Sequence, residues 1–217
     1  MSWPQKEMMQ RFNALNHAAL CDRVSSKDAH LQSIIDRHGY PPVWTRPQSF
    51  AALIRIILEQ QVSLASAKAA FLKLKSHLGA ITPEKILTLT DEEFRDCYFS
   101  RQKTTYARHL AEAIVSKRLR LKRMAHLEDD EVRYELKKVK GIGDWTVDIY
   151  LLFALQRCDV FPTGDLAMMN AFKETKQLPK HTTKEDIVEI AEQWRPYRSI
   201  ATYLLWHHYI KSRNIRS

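Results

Sequence analysis

Leu136-Lys137-Lys138-Val139-Lys140-Gly141-Ile142-Gly143-Asp144-Trp145-Thr146 is the stretch on which the organisation of this chain turns. Two glycines bracket one isoleucine, with an amphipathic segment on either side. Before the turn, Val132, Leu136 and Val139 share a helical face; after it, Trp145, Ile149, Leu152 and Phe153 share another. A Gly-Ile-Gly turn between two helices suits an anion. Glycine lets a ligand approach the backbone closely, and the N–H groups at the start of the second helix point outward, toward negative charge. Ile142 is the apolar plug that pins the turn to a core. Lys137, Lys138 and Lys140 crowd the same turn, so the expected anion is a nucleic-acid phosphate, held without any reading of bases. A plain helix-helix corner can use the same glycines, and the lysines are what favour the phosphate site.

Helical periodicity continues upstream. Residues 50–60, FAALIRIILEQ, place Phe50, Leu53, Ile54, Ile57 and Leu58 on one face. Ser63 caps a following helix whose apolar stripe is Ala67, Ala70, Phe71 and Leu74. Thr82-Pro83-Glu84 is a helix start with proline in the first turn, and Thr90-Asp91-Glu92-Glu93 is another with acids at the positive end of the dipole. A long helix is expected over 103–117, with Arg101 and Lys103 at its start as further phosphate contacts. No strand-like alternation runs beyond a few residues. The expected fold class is all-α, with about ten short helices. The proline-rich stretch at 40–47 and the irregular stretch at 158–164 predict two closely packed lobes with a DNA-binding cleft between them. One lobe is expected over 46–157, with the helix-hairpin-helix at 130–156; the other combines 1–45 and 158–217.

Composition narrows the partners. In 217 residues, 34 Lys and Arg face 25 Asp and Glu, a formal net charge of +9, which attracts polyanions. Lys117, Arg118, Arg120, Lys122 and Arg123 form a second basic run. No apolar run approaches the roughly 18 residues of a membrane span. The opening segment MSWPQKEMMQ lacks the pattern of a signal peptide. Cys21, Cys97 and Cys158 are widely spaced and odd in number, which argues against a disulfide framework or a metal cluster and for a reducing compartment.

Val-Lys-Gly-Ile-Gly-Asp-Trp-Thr-Val (139–147), followed by Asp-Val-Phe-Pro-Thr-Gly-Asp-Leu-Ala (159–167), resembles the helix-hairpin-helix, Gly/Pro-rich loop and aspartate signature (HhH-GPD) of base-excision DNA glycosylases. Within that superfamily the chain is most similar to the 3-methyladenine DNA glycosylase II, or AlkA-like, branch. The similarity runs over residues 47–217, taking in Ile57-Leu58-Glu59-Gln60-Gln61-Val62-Ser63 and Trp194-Arg195-Pro196-Tyr197-Arg198-Ser199.

The resemblance puts the catalytic carboxylate at Asp165. Cleaving an N-glycosidic bond develops oxocarbenium character on the sugar, which an ionised carboxylate stabilises, or it activates the attacking water. The same residue would serve as a helix cap, and the two roles are compatible, because a helix N-terminus favours the ionised form. Asp159 matches a non-catalytic position that braces or caps the loop. Bifunctional members carry a lysine where this chain has Trp145, so the resemblance implies a monofunctional glycosylase without lyase activity. No four-cysteine cluster follows, so no iron–sulfur cofactor is implied, and no other cofactor beyond a monovalent cation at the hairpin carbonyls of Val139 and Ile142. Alkylated purines carry positive charge, and the resemblance implies an aromatic base pocket at Trp145 and Trp206, with Tyr150 and Tyr203 as further members. A pocket tyrosine of some relatives falls on Ile149 here, which leaves the lesion range open. Base flipping needs something to fill the vacated stack, and the match falls on Gln61. Gln60 and Ser63 fall beside it, to touch the DNA backbone or brace the turn. Lys138, Lys140, Gly141 and Gly143 would hold the DNA backbone.

The implied partner is double-stranded DNA with alkylated bases, bound by a monomer in the cytoplasm of a bacterium, at its nucleoid, or in the nucleus of a eukaryote. The first 45 residues are too few for the extra β-rich domain of some relatives. Two alternatives stand: a non-catalytic helix-hairpin-helix DNA-binding module, which has no need of Asp165 and paired tryptophans, and a same-fold glycosylase for hypoxanthine, etheno-adducts, oxidised bases or mismatches.

Overall fold

The computed structural model describes residues 11–215; the opening segment, 1–10, lies outside the described residues. Among these there are thirteen α-helices and one short 3-10 helix, with no β-sheet; an isolated bridge pairs Arg11 with Arg157. No helix among them is long and apolar enough to cross a membrane. Cys21, Cys97 and Cys158 are buried and form no disulfide. The chain separates into two compact units, residues 46–150 and residues 1–45 with 151–217.

The 46–150 unit is built on α3, Phe50–Glu59, started by the Ser49 side chain accepting from Ala52 N. Its face is wider than one stripe. Leu53, Ile54, Ile56 and Ile57 are all fully buried, because α4 (Leu64–Leu78) and α7 (Arg101–Val115) pack against it. Glu59 at its end is buried and held by the two terminal guanidinium nitrogens of Arg46, at 2.7 and 2.8 Å. Ser63 caps α4, Thr82 caps α5 (Pro83–Thr88), and Thr90 forms a full capping box with Glu93 on α6 (Asp91–Asp96). The long helix α7 starts at Arg101 and ends at Val115, two residues earlier at each end than periodicity alone predicts. The reason is local: the Ser100 side chain accepts from Lys103 N, and Lys117, beyond the Ser116 cap, sits at φ +60°. After the one-turn α8 (Leu121–Met124), α9 (Asp129–Lys137) and α10 (Asp144–Phe153) form the hairpin, and α10 carries the chain out of this unit.

The other unit opens with α1 (His17–Ser25) and α2 (Ala29–His38) and resumes with α11 (Leu166–Thr175), α12 (Lys184–Ala191), the 3-10 turn Glu192–Trp194 and α13 (Arg198–Ser212). Helix α13 is its axis, with α1, α2 and α11 packed on it. It is buried almost continuously from Ser199 to His207, so its sequence carries little amphipathic signal.

Candidate active site and phosphate-binding hairpin

In the 46–150 unit the hairpin turn is pinned as its sequence requires. Ile142 is 5% exposed, and its N–H donates to Val139 O at 3.1 Å. Gly141 has φ +95°, and a Cβ there would lie 2.1 Å from Cγ of Tyr106, so both the backbone conformation and the space demand glycine. Gly143 is exposed, and nothing lies within 4 Å of the point a Cβ would occupy, so its backbone stays open to a ligand.

The turn after α3 is tied to this hairpin. Gln60 Nε2 donates to Gly141 O at 3.0 Å and to Thr146 Oγ1 at 2.9 Å. The next residue, Gln61, is exposed with φ +56°. Gln60, Gln61, Tyr106, Gly141 and Gly143 line one open hollow of about 540 Å³ together with Ser100 and Lys103.

The lysines differ from one another. Lys140 and Arg101 are exposed. Lys138 pairs with Glu135 at 2.7 Å and sits 4.1 Å from the Tyr134 ring centre; Lys137 pairs with Asp144 at 2.7 Å. Such exposed pairs are weak and exchange readily for a phosphate. Lys103, expected at the DNA backbone, instead donates its ammonium to Leu58 O at 2.6 Å, and burial lowers its pKa. It satisfies a carbonyl at the C-terminal end of α3 and so braces the turn bearing Gln61. Ser63, exposed, spends its side chain on capping α4. Trp145 is half-buried on the first turn of α10. Tyr150 is fully buried, its hydroxyl meets no hydrogen-bond partner, and burial pushes its pKa up to about 12. Ile149 is also buried.

In the other unit Asp165 is the N-cap of α11. Its Oδ1 accepts from Met168 N at 2.8 Å and from Trp206 Nε1 at 3.0 Å. Trp206, on α13, is 8% exposed and lies against Phe153 and Tyr203, with ring centres 5.5 and 6.0 Å away. Tyr203 is fully enclosed and donates its hydroxyl to Trp44 O at 2.6 Å, so it underlies Trp206 rather than presenting a face of its own.

The loop that carries Asp165 is clamped. Ser199 Oγ accepts from Val160 N at 2.8 Å, and Ser199 N donates to Cys158 O at 2.9 Å. Asp159 accepts from Arg195 at 2.5 Å and from Arg198 at 2.8 Å, which makes it a brace. Sequence reasoning singled out 194–199 as a block but gave none of these residues this role. Their partners lie more than thirty residues away, and no local pattern announces them.

A family model described as HhH-GPD superfamily base excision DNA repair protein matches residues 54–196. The chain is 35% identical over 165 residues to DNA-3-methyladenine glycosylase 1 of Schizosaccharomyces pombe, covering 74% of this chain and 72% of that protein. It is 27% identical over 190 residues to the alkylbase DNA glycosidase-like protein mag2 of the same yeast, covering 84% and 89%. Among solved structures, the S. pombe 3-methyladenine DNA glycosylase Mag1 in complex with abasic DNA superposes with a TM-score of 0.82 at 29% identity, over 92% of this chain and 100% of that one.

Proposed function

This chain belongs to the HhH-GPD superfamily of base excision DNA repair proteins, and we propose that it is a DNA glycosylase that hydrolyses the N-glycosidic bond of alkylated purines, of the 3-methyladenine and 7-methylguanine type. The observation that carries the reaction is Asp165. Its carboxylate sits at the positive end of α11 and holds two N–H donors, from Met168 and Trp206. An ionised carboxylate beside the sugar lowers the energy of the oxocarbenium-like transition state. A purine alkylated at a ring nitrogen is already a good leaving group, so no strong general acid is needed. An aromatic ring such as that of Trp145, half-buried, favours such a cationic ring.

Hairpin N–H groups around Gly141 and Gly143, helped by Lys140, Lys138 and Arg101, hold the DNA backbone. Gln61, exposed on its braced turn, enters the stack when the base leaves it. With tryptophan at 145 in place of a lysine, the sugar is not attacked by an amine, so strand nicking is not part of the reaction. The proposed hydrolysis uses no redox or organic cofactor. A monovalent cation at the Val139 and Ile142 carbonyls fits the hard oxygen donors there: Val139 O accepts one N–H, and a carbonyl has a second lone pair. The protein acts as a monomer on chromosomal DNA, at the nucleoid or in the nucleus.

Incubated with methylated DNA, the protein should release free 3-methyladenine or 7-methylguanine, and the abasic strand should break only after alkali. Asp165→Asn should still bind DNA while excision falls by about a thousandfold or more. Absence of any base release would leave only a DNA-binding module, and a borohydride-trapped adduct would overturn the monofunctional reading.

A further inference from the structure

We propose that Trp206 acts through Asp165, its indole N–H being the donor that sets the orientation of the reacting carboxylate. The inference rests on the reading of Asp165 just given. An aspartate that only caps a helix needs a backbone N–H, and Met168 N supplies one at 2.8 Å. A cap bond of that kind does not by itself set the carboxyl plane, because the terminal torsion of aspartate is broad. The indole adds a second donor to the same oxygen at 3.0 Å, from another helix and 41 residues along the chain. Two donors from different directions on Oδ1 fix the plane, and with it the place of Oδ2.

The donor is itself held still. Phe153 and Tyr203 lie against the Trp206 ring, and Tyr203 is anchored to Trp44 O. Indole nitrogen is a donor only, so its bond to Asp165 cannot reverse. At 8% exposure the ring has little surface left for stacking, which fits a supporting donor better than a platform for a base. A bond of this kind, to a charged acceptor, is among the stronger ones a side chain makes. Trp206 is therefore a positioning residue for the carboxylate.

Trp206→Phe keeps an aromatic ring and removes only the N–H function and part of the ring area. Single-turnover excision of 7-methylguanine should slow about tenfold to a hundredfold, with affinity for DNA carrying an abasic analogue changed by less than about threefold. The slowing should vanish when the same change is made in the Asp165→Asn protein, because the charged carboxylate that the bond orients is gone. In ¹⁵N-labelled protein, the indole signal that Trp206→Phe deletes should move in Asp165→Asn. Equal slowing in both backgrounds would overturn the proposal, as would no slowing at all. If Trp206→Phe fails to fold, the Trp206 indole signal is assigned in the wild type by triple-resonance spectra, and an unmoved signal in Asp165→Asn decides against the proposal. Full excision by Asp165→Asn would instead sink the catalytic reading itself, an outcome distinct from those.

Discussion

At the scale of single residues, the two hairpin glycines are alike in sequence and unlike in their surroundings. Gly141 is a structural requirement: φ is +95° and the Tyr106 ring occupies the space of a side chain. Gly141→Ala should lower stability by at least about 2 kcal/mol. Shrinking Tyr106 to alanine as well should recover only part of that loss, since the backbone strain remains. Gly143 has open space where its side chain would be. Gly143→Ala should leave the urea midpoint almost unchanged and weaken binding to duplex DNA, because the added methyl stands where a phosphate would approach. Urea melts beside fluorescence-anisotropy titrations separate the two effects. A stable Gly141→Ala, or Gly143→Ala with native DNA affinity, would remove the distinction. The Gly-Ile-Gly turn is thus legible in sequence, but which glycine is sterically required and which faces open space is not, because Tyr106 lies on a different helix.

Among elements, the legible features are those fixed within a few residues. Ser63, Thr82-Pro83 and Thr90 mark helix starts through a side chain and a backbone N–H three positions on, and each is found there. For α7 periodicity alone misses the start by two residues, because it does not weigh the Ser100 cap. Lys103 misleads more deeply. A lysine near a helix start looks like a phosphate contact until the fold brings Leu58 O to its ammonium. Least legible is Asp28, whose Oδ1 accepts from His30 N and Leu31 N at the start of α2. Its Oδ2 accepts from Lys176, just past α11, and from Trp194 of the 3-10 turn. One buried carboxylate therefore fastens three elements far apart in sequence. Asp28→Ala strands a mostly buried ammonium and an indole N–H, and should cost about 3–5 kcal/mol. Thr90→Ala removes an exposed cap of one helix and should cost about 1 kcal/mol. Chemical denaturation of both variants tests the contrast, and comparable losses would refute it.

Over the whole molecule, charge and histidine placement make different contributions. The formal charge of +9 predisposes the protein to DNA, as its composition indicates, but does not bear on where the fold is weak. The weak point is acid, and it lies in the unit of residues 1–45 and 151–217. His17 is 3% exposed among Phe12, Tyr203 and Cys21, and burial lowers its pKa from 6.5 to about 4. His38, His207 and His208 are lowered too, first by burial. For His38 the neighbouring His208, His207, Arg37 and Lys211 add to this; for His207, Lys211 adds while its bond to His38 O opposes; for His208, Arg37, Arg213 and His207 add while Glu174 opposes. A histidine depressed in the folded state is neutral there and protonates more readily when unfolded. Its neutral form therefore supports folding above about pH 6.5, and that support is lost as pH falls toward about 4. For His17 alone the full drop corresponds to about 3 kcal/mol. The urea midpoint should fall clearly between pH 7 and pH 5, with the largest change below pH 6. His17→Phe, apolar and uncharged in the same surroundings, should flatten that dependence even if it shifts the midpoint at pH 7. A wild-type midpoint that holds constant from pH 7 to pH 5, or a His17→Phe curve as steep as the wild type, would show that burial of this imidazole does not govern the acid limit.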